Sequence, residues 1–223
     1  MFTLGTRLNA VTELLAARMD NTLFADIGSD HAFLAIEVLR RGLAKSAIAA
    51  DINEMPLLKG KENAERSNIP IEFILSDGFD ALEGLPITSA AICGMGGELI
   101  AKIVLRSAVS RAALLVLQPM SAQEELRRAL WDNGFCIRRE IFTVEAGKPY
   151  TVMQVEYTGE NSDYSYLDLY LGKERVPSRE FSLYCEKILN AARKRRLGLV
   201  ARNEDTGDID ALADFCQKQT MSL

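Results

Sequence analysis

Ala25-Asp26-Ile27-Gly28-Ser29-Asp30-His31 begins inside an apolar run, 23–27, that breaks at a single glycine between two aspartates. The only histidine of the chain follows, and an amphipathic segment, 32–41, starts at once. A strand that stops at glycine and restarts as a helix marks the carboxyl edge of an open α/β sheet, where nucleotide-like ligands bind. The flanking residues narrow the ligand. Carboxylates repel phosphate and suit a partner rich in hydroxyls and amines. G-x-G-x-x-G does not follow this strand, which makes a dinucleotide oxidoreductase a poor reading.

The same alternation extends outward from the loop. Apolar runs at 46–52, 71–75, 90–93 and 112–117 are separated by helical patterns at 31–41, 56–67, 98–106 and 122–133. Short, continuously apolar strands between helices predict a parallel, doubly wound sheet covered on both faces. Pro56 suits a first helical turn, and Gly42 and Gly134 suit helix ends. Two further strands, 135–144 and 150–157, flank Glu145-Ala146-Gly147-Lys148, a turn short enough for an antiparallel hairpin. The pattern changes at Gly159-Glu160-Asn161-Ser162, and only helical segments follow, at 164–171, 178–202 and 208–218, with Ser178 as a candidate cap. The expected organisation is a ligand-binding domain over 1–158 and a small all-helical, coiled-coil-like domain over 159–223.

Composition limits the chemistry. The four cysteines are far apart with no C-x-x-C pair, and one histidine forms no cluster, so neither a disulfide framework nor a metal site is expected. Residues 1–18 are amphipathic without a continuous apolar core, which predicts neither signal peptide nor membrane span, while the cysteine usage fits a reducing cytoplasm. The net charge of −5 argues against a protein coated in positive charge. The stretch 179–202 nevertheless carries seven basic and two acidic residues, among them Arg193-Lys194-Arg195-Arg196. Such a run in an acidic chain points to a polyanion contact, against the plainer reading of a solvated helix face.

Four strand ends should open onto one crevice: Asp26 to Asp30, Asp51-Ile52-Asn53, Ser76-Asp77-Gly78-Phe79 and Cys93-Gly94-Met95-Gly96-Gly97. Together they suit S-adenosylmethionine. Gly28 lets the backbone approach closely. Asp51 is placed to accept from both ribose hydroxyls and Asp77 from the adenine amino group, while Phe79 or Ile52 covers the ring. Carboxylates of the first loop offset the ligand's positive charge. The turn expected at 93–97 offers close backbone approach or free amides. His31, placed in the first turn of its helix, reads equally as packing or as a substrate contact. Cys93 is not expected to be a nucleophile, because His31 is the only histidine that could serve it as a base.

These residues resemble the bacterial tRNA (adenine-N1)-methyltransferases that modify adenine 22 in the D-arm. The matching residues are Arg7-Leu8, Ala25 to Ala32, Asp51-Ile52-Asn53-Glu54, Ser76-Asp77-Gly78, Gly94-Met95-Gly96-Gly97, Leu117-Gln118-Pro119 and Gly147-Lys148-x-Tyr150. The likeness covers about 4–157; the helical tail is similar in kind only. Asp51 stands where glutamate is expected, and Met120 where asparagine is common.

The resemblance implies a Rossmann-like class I methyltransferase fold, S-adenosylmethionine as cofactor and tRNA as partner, with neither membrane nor obligate protein partner. It assigns Asp26, Gly28, Ser29, Asp51, Ile52, Asn53, Ser76, Asp77, Gly78, Phe79, Cys93, Gly94 and Met95 to the cofactor. Asp30 and His31 face the adenine as catalytic candidates. Arg7, Gly96, Gly97, Gln118 and residues 193–196 go to the tRNA. Two other readings stay open on the sequence: a methyltransferase of this fold acting on another RNA position or a small molecule, and a non-catalytic cofactor- or RNA-binding module.

Overall fold

The computed structural model describes residues 3–16 and 22–221, so both ends of the amphipathic stretch 1–18 lie outside the described residues. Seven strands form one sheet in the order β3-β2-β1-β4-β5-β7-β6. β1 (Leu23–Ile27), β2 (Ser46–Asp51), β3 (Glu72–Leu75), β4 (Ser89–Gly96) and β5 (Leu114–Ser121) run parallel. β6 (Phe135–Glu145) and β7 (Lys148–Tyr157) form the expected hairpin, and β7 pairs antiparallel with β5. Ala146 and Gly147, at φ 50° and 74°, turn it, the backbone that a two-residue connection between twisted strands requires.

The parallel strands are apolar on both sides, and alternate residues feed two separate cores. Phe24, Ala47, Ala91 and Val116 face α1 (Thr6–Leu15) and α2 (Phe33–Arg40). Ala25, Ile27, Ile48, Ile92 and Leu117 face α4 (Gly97–Arg106) and α6 (Gln123–Asp132). Between them lie α3 (Glu54–Ser67), packed on α2, and α5 (Val109–Ala112). The chain winds from β1 outward to β3 and then crosses back to β4. The carboxyl ends of β1 and β4 therefore diverge into a crevice, the switch point of a doubly wound sheet.

Two local expectations differ from the structure. Residues 93–97 are not a turn: β4 continues to Gly96, and its register against β5 shifts on either side of Met95. Gly94, at φ +79°, is left out of the ladder there, as a bulge requires. Ala112 closes the short α5 and does not open β5, so that strand starts two residues later than expected.

Beyond β7 come α7 (Tyr166–Leu171), α8 (Arg179–Ala201) and α9 (Gly207–Thr220). Ser178 caps α8 by accepting from the Phe181 amide at 3.1 Å. Phe181, Tyr184, Ile188, Leu189, Ile209 and Leu212 make a third core, which Phe142 of β6 joins. A buried ion pair crosses the same seam. Arg127 on α6 lies 2.5 Å from Glu140 on β6, donates to the Leu169 carbonyl at 2.6 Å, and reaches the Tyr184 hydroxyl at 3.5 Å. The helices are thus docked on the sheet domain through both apolar and ionic contacts.

Candidate active site

The loop after β1 is bound to its neighbour before any ligand arrives. The amides of Gly28 and Ser29 donate to the Ala50 carbonyl at 2.8 and 3.0 Å. Gly28 has φ +71°, and a Cβ there would lie 2.0 Å from Met95 Cε, so the glycine lets the two strand ends close on each other. His31 and Ala32 follow at φ 64° and 55°. Left-handed backbone at such residues costs roughly 1–2 kcal/mol each. This strain delays α2 to Phe33, so His31 precedes the helix and is not in its first turn. It also aims the ring. His31 stacks on Phe33 with centroids 5.3 Å apart, and its Nε2 lies 3.3 Å from Asp30 Oδ1. The Asn63 side chain donates to the His31 carbonyl at 3.0 Å.

Asp26 lies one residue before the end of β1 and is 4% exposed. Ser29 Oγ donates to it at 2.7 Å, and the Ala35 amide near the start of α2 bonds it too. Burial pushes its pKa from an ordinary 3.8 up to about 6; the Ser29 and Ala35 bonds oppose that rise, and Asp51 adds to it. No amine or guanidinium pairs with Asp26 among the described residues. Asp51 holds the Asn53 amide at 2.8 Å. Asp26, Gly28, Ser29, Asp30, His31 and Asp51 line a cavity of about 460 Å³ with Arg7, Leu8, Phe33 and Leu34, and it also takes in Cys93, Gly94 and Met95, while Ile52 and Asn53 lie outside its lining. That size suits a cofactor-sized ligand. Burial, reinforced by Asp26 and opposed by Arg7, pushes the Cys93 thiol well above its ordinary range and keeps it protonated.

The donor set fits S-adenosylmethionine. A buried carboxylate lacking a cationic partner suits an ammonium and a sulfonium, and a second carboxylate at the next strand end suits ribose hydroxyls. Gly94 is exposed, and a Cβ there would have only Arg7 Nη1 nearby, at 3.8 Å, so this wall is open backbone.

The structure does not bring every expected residue to this cavity. Phe79 is fully buried in the core between α4 and the sheet, so its ring cannot cover a ligand. Ser76 points inward, donating to the Gly78 carbonyl and accepting from the Ala81 amide, which shapes the turn. Gly78, at φ +62°, lies against Ile103. Asp77 faces solvent, 2.8 Å from Arg106 on α4, and is not a lining residue. Ile52 is 62% exposed and free to lie over a ring. Gly97 is buried because a Cβ would lie 2.1 Å from the Ala122 carbonyl, so it is a packing glycine. Gly96 faces the Ser121 hydroxyl.

Gln118 is fully buried and cannot meet tRNA directly. Its Oε1 accepts from Arg7 Nη1 at 2.6 Å and from the Gly94 amide at 3.1 Å. Arg7 is further held by Glu145, 3.5 Å from its Nε, and lies over the Tyr150 ring at 5.6 Å. Sequence reasoning gave no site role to Glu145, which it read only as the start of the hairpin turn, or to Arg106 at the end of α4, because the partners of both are distant in sequence. Tyr150 was marked only through the Gly147-Lys148-x-Tyr150 likeness. In the tail, Arg196 pairs with Asp210 of α9 at 2.5 Å, Arg193 reaches Gln217 at 3.5 Å, and Arg195 bonds Tyr170.

A family model described as a methyltransferase domain matches residues 4–153. The tRNA (adenine(22)-N(1))-methyltransferase of Bacillus subtilis is 31% identical over 173 residues, 76% of this chain and 71% of that protein. A Streptococcus pneumoniae protein, provisionally assigned as a tRNA (m1A22) methyltransferase and solved with S-adenosyl-L-methionine, superposes with TM-score 0.79 at 29% identity, over 98% of this chain and 100% of that one. A Streptococcus agalactiae protein of the NADB-Rossmann superfamily gives TM-score 0.82 at 25% identity over 98% of both chains. The chain belongs to the methyltransferase-domain family and, within it, to the tRNA (adenine(22)-N(1))-methyltransferases.

Proposed function

We propose that this protein methylates N1 of adenine 22 in tRNA, using S-adenosylmethionine. The observation that carries the reading is the buried Asp26 carboxylate, without a cationic partner among the described residues, at the switch point of a methyltransferase sheet. The cofactor supplies an electrophilic methyl group, and N1 of a neutral adenine offers a lone pair to receive it. Residues 1–158 bind the cofactor and hold the base; residues 159–223 engage the rest of the tRNA.

Each site residue has a defined task in this reading. Asp26 neutralises the cofactor's ammonium and Asp51 accepts from its ribose, with Ile52 against the adenine ring. Gly28 and Ser29 complete that wall, with Asn53 holding the Asp51 carboxylate from outside the lining, and Cys93, Gly94 and Met95 the opposite one. Asp77 meets the adenine amino group only by releasing Arg106. Asp30 and His31 stand at the rim beside Phe33. There Asp30 accepts from the N6 amino group and fixes the orientation of N1, while His31 and Phe33 present an aromatic surface to the extruded base. Alignment and extraction from the stack are the demands of this reaction. Arg7, fixed by Gln118 and Glu145, meets the tRNA backbone, and the basic residues of α8 add phosphate contacts.

No helix among the described residues is long and apolar enough to cross a membrane. We place the protein in the cytoplasm with its tRNA, acting without an obligatory protein partner. Incubation with labelled S-adenosylmethionine and unmodified tRNA, followed by mapping of the nucleoside, tests the reading. The expected product is 1-methyladenosine at position 22; a methyl group on any other atom overturns it.

A further inference from the structure

A second cavity, of about 300 Å³, lies where α6 meets the helical tail. Ile188, Ile209 and Leu212 belong to its lining, with Tyr170, Lys187 and Arg195 among its polar residues. Ala191 of α8 also lines it and is exposed. Met120 forms part of its wall, and Met120 Sδ lies 3.6 Å from Arg7 Nη1, which lines the first cavity. The two cavities therefore share a wall, made of one arginine and one thioether.

The lining combines three properties. Its apolar part resembles a base-stacking platform, with the Tyr170 ring beside it. Two cations stand with it, and the Arg195 guanidinium is oriented by its bond to the Tyr170 hydroxyl. Lys187 lies over the Tyr184 ring at 5.7 Å and has no ion pair among the described residues. Burial pushes its pKa down, Arg127 adds to that, and Glu124, the acidic residue of the lining, opposes it. An incoming phosphate would reverse the effect of that burial. The volume sits at the small end of ligand pockets, enough for a single nucleotide and too small for a longer segment.

We infer that this second cavity receives one nucleotide neighbouring the target adenine along the tRNA, its base on the apolar surface and its phosphate between Lys187 and Arg195. The inference rests on tRNA being the substrate. It deepens that reading by giving the strand a second anchor next to the first, so that extrusion of the adenine is held from its flank. The shared Met120–Arg7 wall keeps both anchors within reach of adjacent nucleotides.

The test uses the full-length protein with unmodified tRNA. Ala191→Trp fills the cavity from an exposed position without removing a charge. The expected result is a tRNA Kd raised about tenfold, with the S-adenosylmethionine Kd and the thermal midpoint unchanged. In Lys187→Ala/Arg195→Ala, the slope of log K against log salt should fall by about one, the share of a single phosphate. A tRNA with 2-aminopurine beside the target should change emission on binding the wild type and not on binding Ala191→Trp. Wild-type tRNA affinity and an unchanged emission response in Ala191→Trp overturn the inference. So does loss of polyglutamate binding with tRNA binding intact, which would assign the cavity to an acidic protein segment. These readouts are separate from nucleoside mapping: a misplaced methyl refutes the target atom, whereas an unaffected Kd refutes the subsite.

Discussion

Asp26 and the basic run of α8 are both charged features that stand out in the sequence, yet their settings are opposite. Asp26 is 4% exposed, held by Ser29 and the start of α2, in a loop tied to the next strand. Arg193 to Arg196 are exposed on a long helix, and two of them engage α9. In the proposed reading the first arrangement sets one charge against one small cation, in a geometry fixed before binding. The second is a set of movable cations whose surface partners water and salt readily replace. A phosphate chain needs the second arrangement, and a methyl donor positioned for transfer needs the first.

The strongest challenge to this contrast lies at the seam between the two regions. Arg127→Ala should lower unfolding free energy by about 3–5 kcal/mol, because it leaves the Glu140 charge buried and unpaired. Denaturant titration reads the effect directly. A loss under about 1 kcal/mol would mean that the tail is loosely attached and the contrast is one between separate bodies.

Next in size is Asp30→Ala. Loss of adenine orientation should lower kcat about 100-fold, with the S-adenosylmethionine Kd within twofold of wild type. Full activity would move the orienting role elsewhere.

Asp26→Asn sharpens the comparison in two directions. Cofactor affinity at pH 7.5 should fall at least about tenfold, the weight of one charge-assisted contact. The ligand-free protein should gain about 1–3 kcal/mol, since ionising this buried group opposes folding. The sign follows from a folded pKa above the unfolded one. The stabilising contribution of Asp26 is present below pH 3.8 and is lost as pH rises through about 6. Cofactor affinity runs the other way and should weaken as pH drops below about 6, when the carboxyl takes up its proton. Isothermal titration across pH 5–8 measures this, and a flat profile would exclude Asp26 as the cation's partner.

The smallest effect belongs to α8. Replacing Arg193, Lys194, Arg195 and Arg196 by alanine should weaken tRNA binding several-fold and reduce its salt slope by about two. Two of the four already have partners on α9, so the loss should be less than four full phosphate contacts. Unchanged binding would put the polyanion contact on another face.

How much of this was legible in the sequence depended on whether the deciding force was local. The alternation of strands and helices and the hairpin followed from apolar runs and turn residues, and Asp26, Gly28 and Asp51 from their place near strand ends, whereas the order of the strands was not read. Phe79 and Gly97 were misread because a motif position does not say which way a side chain points. One turned into the core and the other made room for the Ala122 carbonyl. The start of α2 was read two residues early, at His31, because two successive left-handed residues without glycine carry no sequence signal. Asp77 is paired by Arg106, 29 residues on, and Arg7 by Glu145, 138 residues away from it. Those partners are chosen by the fold, so no window of sequence contains them.

Gln118 carries a consequence for how this protein can change over time. One amide oxygen serves the Arg7 guanidinium and the Gly94 amide together, and its nitrogen is turned to the Pro119 carbonyl. An isosteric glutamate would keep the first two bonds and set an anion against that carbonyl, while a shorter asparagine would release both walls. Arg7 alone cannot become lysine without losing the fork that meets Gln118 and Glu145. Positions 7 and 118 and the backbone of 94 are therefore a single unit spread over half the chain, so that a change at 118 is felt at both other points at once.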